Sequence, residues 1–352
     1  MISDAFTLSR IDLLGWVDTL RAQFDIFGPV MKRRGQAVFE RLNKAQDMAL
    51  DYCSTMTSPR SLIYPPRQSL FTIDRKIGHY ETLVPKRGKE TIIFGIHPCD
   101  MHAITVLDRT FLGDFKDCYY RRLRDDTITV VLNCNQACDQ GFCPSMETGP
   151  FLQIKDRFDL VLTAKCGDYL VEFGSQRGKD LSKRANNLRR ASRKDFVEKK
   201  RVEMRARTTF IKSLDTNGLP ELLMRNLDHP VYKRTADARC LGCTNCTMVC
   251  PTCYCYNVED STSFDLNTTT RSRHCDSCQE LNFAKVHEGN FRSSRQARLR
   301  QFVTHKLATW IEQYGCFGCV GCGRCMTWCP TGIDLTEMAK EIQRDGRTEK
   351  TI

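Results

Sequence analysis

Two runs of cysteines in this chain share one spacing, and each run ends in a proline. The eight cysteines are Cys240, Cys243, Cys246 and Cys250, before Pro251, and Cys319, Cys322, Cys325 and Cys329, before Pro330. In a CxxCxxCxxxCP run, three thiolates wrap one iron-sulfur cube and the fourth reaches a neighbouring cube. A zinc site would instead need ligand pairs separated by a longer spacer. The spacing therefore predicts two [4Fe-4S] clusters.

The ligands of the two clusters are predicted to cross between the runs. The first cluster takes three thiolates from the first run and one from the second, and the second cluster takes the converse set. The expected first set is Cys240, Cys243, Cys246 and Cys329, and the expected second set is Cys319, Cys322, Cys325 and Cys250.

The runs use eight of the 20 cysteines, and two further groups of four could hold another metal centre. One group lies between the runs and comprises Cys253, Cys255, Cys275 and Cys278. The other group, additional candidate ligands for a third iron-sulfur cluster, comprises Cys99, Cys134, Cys138 and Cys143. The alternative is that these thiols pack as small buried side chains.

Strands are expected to position the second of these groups. Apolar or alternating runs predict strands at Thr91 to Ile96, Thr127 to Leu132, Leu160 to Thr163 and Tyr169 to Phe173. The first two run directly into turns that carry Cys99 and Cys134. The carboxyl ends of such strands are where open α/β sheets bind ligands. We therefore expect these two thiols at one edge of a sheet.

The distribution of cysteines divides the chain near residue 236. We expect an α/β docking domain over residues 1–235 and a mainly helical, ferredoxin-type domain with two clusters over 236–352. Apolar residues at helical steps predict a helix from Arg295 to Tyr314 between the runs. A long, helical spacer is unlike that of a minimal ferredoxin.

Length and composition exclude several classes of protein. A chain of 352 residues can bury a core without disulfides, and its first residues have no secretory pattern. We therefore expect reduced thiols and a cytoplasmic location. The apolar runs are too short for a transmembrane segment, so we expect none.

The formal charge of +11 raises the question of an acidic partner. Leu181 to Arg207 carries much of it, and this segment is read as a solvated helical face or, alternatively, as a docking surface for an acidic protein. Phe196 is the one aromatic residue of this segment, whereas a surface that stacks on nucleic-acid bases usually has several aromatic residues. We expect no nucleic acid among the partners, because arginines near an anionic cluster also explain the basicity.

Several blocks of sequence together resemble the iron-sulfur β subunit of soluble NiFe hydrogenases of the sulfhydrogenase type, a family that also includes one of the subunits of anaerobic sulfite reductase. The blocks include GIHPCDMHAITVLDRTF, CNQACDQGFCPSMETGP, CPTCYC, RSRHCDSC and CVGCGRC. The resemblance implies an electron-transfer subunit with two [4Fe-4S] clusters held by the eight cysteines of the runs. It also implies two partners, a flavin- and NAD(P)-binding, diaphorase-like subunit, and a catalytic redox subunit.

The sequence is compatible with two functions. The first is electron transfer in a cytoplasmic multi-subunit oxidoreductase, with no catalytic residue in this chain. The alternative is an oxidoreductase that binds its own flavin or deazaflavin in the α/β domain. Because no GxGxxG, P-loop or GxSxG motif is present, the sequence identifies no organic cofactor-binding residue.

Overall fold

The structure, a computed structural model, describes residues 5–32, 35–86 and 88–348. Its strands are β1 (Ala5–Ser9), β2 (Asp25–Met31), β3 (Ala37–Arg41), β4 (Arg67–Asp74), β5 (His79–Thr82), β6 (Thr91–Ile96), β7 (Thr127–Leu132), β8 (Leu160–Lys165), β9 (Asp168–Phe173), β10 (Arg189–Arg190), β11 (Tyr256–Thr262), β12 (Thr268–Cys275), β13 (Lys285–Val286) and β14 (Gly289–Asn290).

The helices are α1 (Arg10–Arg21), α2 (Pro98–Phe111), α3 (Cys118–Asp125), α4 (Gln176–Ser182), α5 (Arg193–Thr208), α6 (Leu219–Arg225), α7 (Pro230–Ala238), α8 (Asn245–Met248), α9 (Arg295–Thr304), α10 (Trp310–Tyr314), α11 (Arg324–Thr327) and α12 (Leu335–Thr348). A π-helical turn, His305–Thr309, joins α9 to α10. The predicted helix from Arg295 to Tyr314 therefore forms as one continuous element. None of the helices in the described ranges combines the length and the apolar character that a bilayer span requires.

The main sheet has eight strands in the order β10-β1-β9-β8-β7-β6-β2-β3. Its centre, β2-β6-β7-β8, is parallel, and the outer pairs are antiparallel. The residues of β6 and β7 are all buried, as expected for parallel strands covered on both faces. The four strands predicted from sequence are confirmed, and β6 and β7 have the predicted bounds.

Helices cover both faces of this sheet. The apolar stripe of α1 packs Trp16 and Leu20 into one core with Phe94, and the rings of Trp16 and Phe94 meet edge to face at 6.2 Å. On the other face, α2 contributes Ile104 and Phe111 to a second core. These two cores fix the ends of β6 and β7, where the cysteine-bearing turns begin.

A second, four-stranded antiparallel sheet has the order β11-β12-β4-β5. Its two halves come from distant parts of the sequence, because β4 lies before β6 along the chain and β12 lies between the cysteine runs. In this pairing, Arg273 lies opposite Gln68 and Thr270 opposite Thr72. The two regions separated at residue 236 are therefore joined by backbone hydrogen bonds.

Helices from α6 onward surround a core of their own, which includes Leu223, Tyr232, Phe302 and Ile342. The chain is mixed α/β, as expected. The expectation of a mainly helical second domain is not confirmed, because β11 and β12 lie within it.

Candidate metal centre

The two cysteine runs fold into the same backbone shape. In each run the residue before the second cysteine is a glycine in the left-handed region, Gly242 with φ 68° and Gly321 with φ 64°. The residue after the second cysteine is left-handed too, Thr244 with φ 67° and Gly323 with φ 76°. A short helix then carries the third cysteine, α8 in the first run and α11 in the second. These turns curl each run so that its first three sulfurs face one space.

The cysteines of the two runs line two neighbouring cavities. The first cavity is lined by Cys240, Cys243, Cys246 and Cys329, together with Cys325. The second cavity is lined by Cys250, Cys319, Cys322 and Cys325. Each cavity thus brings together three cysteines of one run and the last cysteine of the other. Cys325 lies on the wall that the two cavities share.

Hydrogen bonds between the runs hold the last cysteine of each at the other cavity. The hydroxyl of Thr252, two residues after Cys250, donates to the carbonyl oxygen of Gly318 at 2.6 Å. On the opposite side, Arg239 donates to the carbonyl oxygen of Thr331 at 2.9 Å. These side-chain to backbone hydrogen bonds join the two runs on both sides.

Burial dominates the electrostatics of these thiols. It raises the pKa of Cys319 to about 12 and that of Cys325 well above the ordinary value. Cys250 differs, because Cys253 donates a hydrogen bond to it and holds its pKa well below the usual range. Buried thiols ionise when a bound metal compensates their charge, which suits ligands of a metal cluster.

The spacing of the sulfurs favours a cluster over a single ion. No three cysteine sulfurs in the described ranges, which contain every cysteine of the chain, lie within 4.8 Å of one another. Sulfurs around one tetrahedral zinc ion, with bonds of about 2.3 Å, would lie about 4 Å apart. An iron-sulfur cube holds its ligands further apart, so the donor set fits the cube better.

The strand-end cysteines also come together. Cys99 lies in the first turn of α2, Cys134 follows β7, and Cys138 and Cys143 lie on the loop that continues from it. Burial raises the pKa of Cys138 to about 12, and each of Cys99, Cys134 and Cys143 likewise has a raised pKa. Cys143 adds to the raised pKa of both Cys99 and Cys134, so these thiols are neighbours in space.

The loop that carries Cys143 packs directly against the second run. The N–H of Phe142 donates to the carbonyl oxygen of Gly321 at 2.7 Å. A Cβ atom at Gly321 would lie 2.7 Å from the backbone nitrogen of Cys143, and one at Gly323 would lie 2.3 Å from the carbonyl oxygen of Gln140. Only glycine permits this approach. The strand-end cysteines therefore adjoin the second cavity, and Cys322 contributes to the raised pKa of both Cys99 and Cys143.

The four cysteines between the runs do not form one group. Cys253 contacts Cys250, and Cys255 contributes to the raised pKa of Cys278, beside Lys306. Cys275 instead ends β12 and packs in the core beneath the main sheet, near Arg60 and Arg273. Three of these thiols thus lie around Cys250 and Lys306, and the fourth does not.

Three charged residues at the site were missed by sequence reasoning. Lys306 lines the second cavity although it lies on an amphipathic helix, and Arg324 and Asp100 form a buried ion pair beside it. The position of Arg324 inside a cysteine run was the one available signal. Of the arginines expected near the clusters, Arg271 and Arg273 pair instead with Asp260 and Asp117 around the second sheet.

Comparison with known proteins agrees with this geometry. A family profile described as a 4Fe-4S dicluster domain matches residues 239–333, the span that contains both cysteine runs. Sulfhydrogenase 2 subunit beta of Pyrococcus furiosus is 33% identical over 322 residues, which cover 90% of this chain and 92% of that protein. No solved structure matches the chain. The chain belongs to the sulfhydrogenase β-subunit family and carries its 4Fe-4S dicluster domain.

Proposed function

We propose that the chain relays electrons through two adjacent [4Fe-4S] clusters in a cytoplasmic multi-subunit oxidoreductase. The observation that carries the proposal is the pair of cysteine-lined cavities that meet at Cys325. One-electron centres that share a wall are suited to passing electrons along a chain. Within the described ranges, these cysteines hold the clusters, and the apolar side chains around them, such as Phe302 and Leu335, keep water away from both cavities.

The assignment of ligands follows the cavities. The first cluster is held by Cys240, Cys243, Cys246 and Cys329, and the second by Cys319, Cys322, Cys325 and Cys250. When bound, each cluster accepts and returns one electron. The chain's own residues fix the spacing of the two centres and set the charge around them.

The strand-end cysteines form the candidate third centre. Cys99, Cys134, Cys138 and Cys143 lie close together, half-buried or buried, and adjoin the second cavity through the Phe142 to Gly321 contact. A cluster there would extend the relay from the cysteine runs into the α/β region. This region then serves as the dock for one partner.

The proposed partners lie at the two ends of the relay. One is a flavin- and NAD(P)-binding subunit, and the other is a catalytic redox subunit of hydrogenase or sulfite reductase type. Family membership supports this arrangement, since the P. furiosus relative is named as part of a sulfhydrogenase.

The test is iron content and electron paramagnetic resonance after anaerobic purification. Cys243→Ser should impair the first cluster and Cys319→Ser the second, each with a loss of up to about four irons. Cys118→Ser, at an exposed cysteine, is the control and should lose none. Unchanged iron and spectra in both ligand variants would refute the assignment. Stoichiometric flavin in the purified protein would favour the alternative of a flavin-binding oxidoreductase.

A further inference from the structure

Lys306 is a buried cation that has no carboxylate partner among the residues that the structure describes. Its residue is 3% exposed, on the π-helical turn between α9 and α10. Its ammonium group donates a hydrogen bond to the hydroxyl oxygen of Thr252 at 2.8 Å. Among the ion pairs of the described residues, none includes Lys306. A buried charge is costly unless an opposite charge compensates it, so this lysine implies an anion nearby.

The ammonium group faces thiols of the second cavity and also Cys253, with which it forms a hydrogen bond. Thr252 bridges it to Cys250, because the Thr252 hydroxyl oxygen lies 3.3 Å from the Cys250 sulfur. Lys306 also lines the same cavity as Cys319, Cys322 and Cys325. A cluster held by four thiolates carries net negative charge, which grows on reduction. The cluster proposed for this cavity is therefore the anion that Lys306 faces.

The ammonium group is held in place and cannot turn to solvent. It lies 4.6 Å from the centroid of the Trp310 ring, a cation–π contact. Trp310 is itself fully buried and packs so closely on Gly318 that a Cβ atom there would lie 2.3 Å from the ring. π-helical turns occur frequently at functional sites. The π-helical turn, the Trp310 ring and the Thr252 hydroxyl together hold the ammonium group at the wall of the cavity.

A second buried cation, Arg324, follows the cavity-lining Gly323 and is already neutralised. Arg324 forms two hydrogen bonds to the carboxylate of Asp100, at 2.8 and 2.7 Å. That pair contributes little net charge to the cavity. Lys306 supplies the uncompensated positive charge on the side of the cavity that Cys250 and Cys319 occupy.

We propose that Lys306 is the resident counter-charge of the cluster held by Cys250, Cys319, Cys322 and Cys325, and that it raises the reduction potential of this cluster. The inference rests on the proposed function. Reduction adds one electron from an external donor, and the cluster becomes one unit more negative with no proton transferred. A fixed positive charge stabilises the reduced form more than the oxidised form, so it raises the potential. Lys306 is thus a positioning and tuning residue and not a ligand.

The experiment is a redox titration of the full-length, iron-loaded chain, followed by electron paramagnetic resonance. Lys306→Met keeps the length of the side chain and removes the charge. The signal of the second cluster is the one that Cys319→Ser removes. In Lys306→Met we expect the second cluster to have a more negative reduction potential than in the parent chain, and the first cluster to show a smaller shift. Lys340→Met, on the exposed face of α12, removes one positive charge from a solvent-exposed side chain that lines neither cavity, and it should shift neither potential.

Unchanged potentials in an iron-loaded Lys306→Met variant would overturn the inference. If that variant loses the iron of the second cluster, Lys306→Arg decides, because it keeps the charge. If Lys306→Arg retains the iron and has a reduction potential near that of the parent chain, the counter-charge is supported. If Lys306→Arg loses as much iron as Lys306→Met, the inference is overturned. Absence of clusters from the parent chain would instead overturn the proposed function itself.

Discussion

Arg324 and Asp100 form a buried, two-pronged ion pair whose side chains are 2% and 1% exposed. Arg324 lies between Cys322 and Cys325 in the second run, and Asp100 follows Cys99 in the first turn of α2. Arg324 also donates to the carbonyl oxygen of Thr55 at 2.7 Å. The pair therefore fastens the second run to the edge of the main sheet.

Removing one partner of this pair should strongly destabilise the fold. Asp100→Asn leaves the Arg324 charge buried and unpaired, and we expect a loss of about 3 kcal/mol or more in the free energy of unfolding. Anaerobic urea unfolding of the iron-loaded chain measures it. The control is Asp51→Asn, because Asp51 pairs with Arg10 at the surface and should cost less than about 1 kcal/mol. Equal losses in the two variants would contradict the role given to the buried pair.

Gly321 should not tolerate a side chain. In Gly321→Ala the new methyl group would meet the backbone nitrogen of Cys143 at 2.7 Å, and the positive φ of 64° would add strain. We expect the strand-end loop to move away from the second run, with lower stability and lower iron content. Gly315→Ala is the matched control, because its φ is 68° and no atom lies within 4 Å of the added position. That control carries only the left-handed strain, about 1–2 kcal/mol; similar behaviour of both variants would show that the close contact does not matter.

The iron content of the chain tests whether the strand-end cysteines hold a third cluster. The parent chain should hold about twelve irons, and Cys134→Ser should lower the count to about eight while both dicluster signals persist. Cys118→Ser should leave the count at the parent value. A parent chain with about eight irons would remove the third centre and leave Cys134 as a buried structural thiol.

His97 should make stability fall on acidification. Burial lowers its pKa to about 4, against about 6.5 in an unfolded chain. Between these values the unfolded chain binds a proton that the folded chain does not, so stability decreases as the pH falls from about 6.5 to 4, by up to about 1.4 kcal/mol per pH unit.

The comparison of parent and His97→Phe isolates this effect. Phenylalanine keeps a ring for the 3.9 Å stack on Tyr52 but cannot titrate. Urea unfolding at several pH values should give a flatter dependence for the variant in that window. Parallel curves would mean that His97 does not titrate as described.

The sequence was most informative where chemistry or burial constrains each position. β6 and β7 were predicted with their bounds because strands buried on both faces are continuously apolar. The cysteine runs were recognised because few kinds of metal site other than an iron-sulfur cluster use this spacing of cysteines. The crossed sets then line separate cavities, although ligation itself stays a prediction.

Features that depend on distant partners were not predictable. β11 is polar and entirely exposed, so no apolar alternation indicates it. It pairs with β12, which in turn pairs with β4, far away along the chain. Similarly, nothing local indicates that Arg324 meets Asp100, 224 positions apart, or that a lysine within an amphipathic helix faces inward at residue 306.

The pairing of β12 with β4 also bears on how the chain can be divided. A fragment starting near residue 236 would keep both cysteine runs but lose β4, which would leave the inner edge of β12 with open N–H and C=O groups. Such an edge pairs readily with other chains. The segment between the cysteine runs thus joins them to the rest of the chain through the pairing of β12 with β4. A fragment that contains the cysteine runs alone should therefore aggregate unless β4 and β5 are expressed with it.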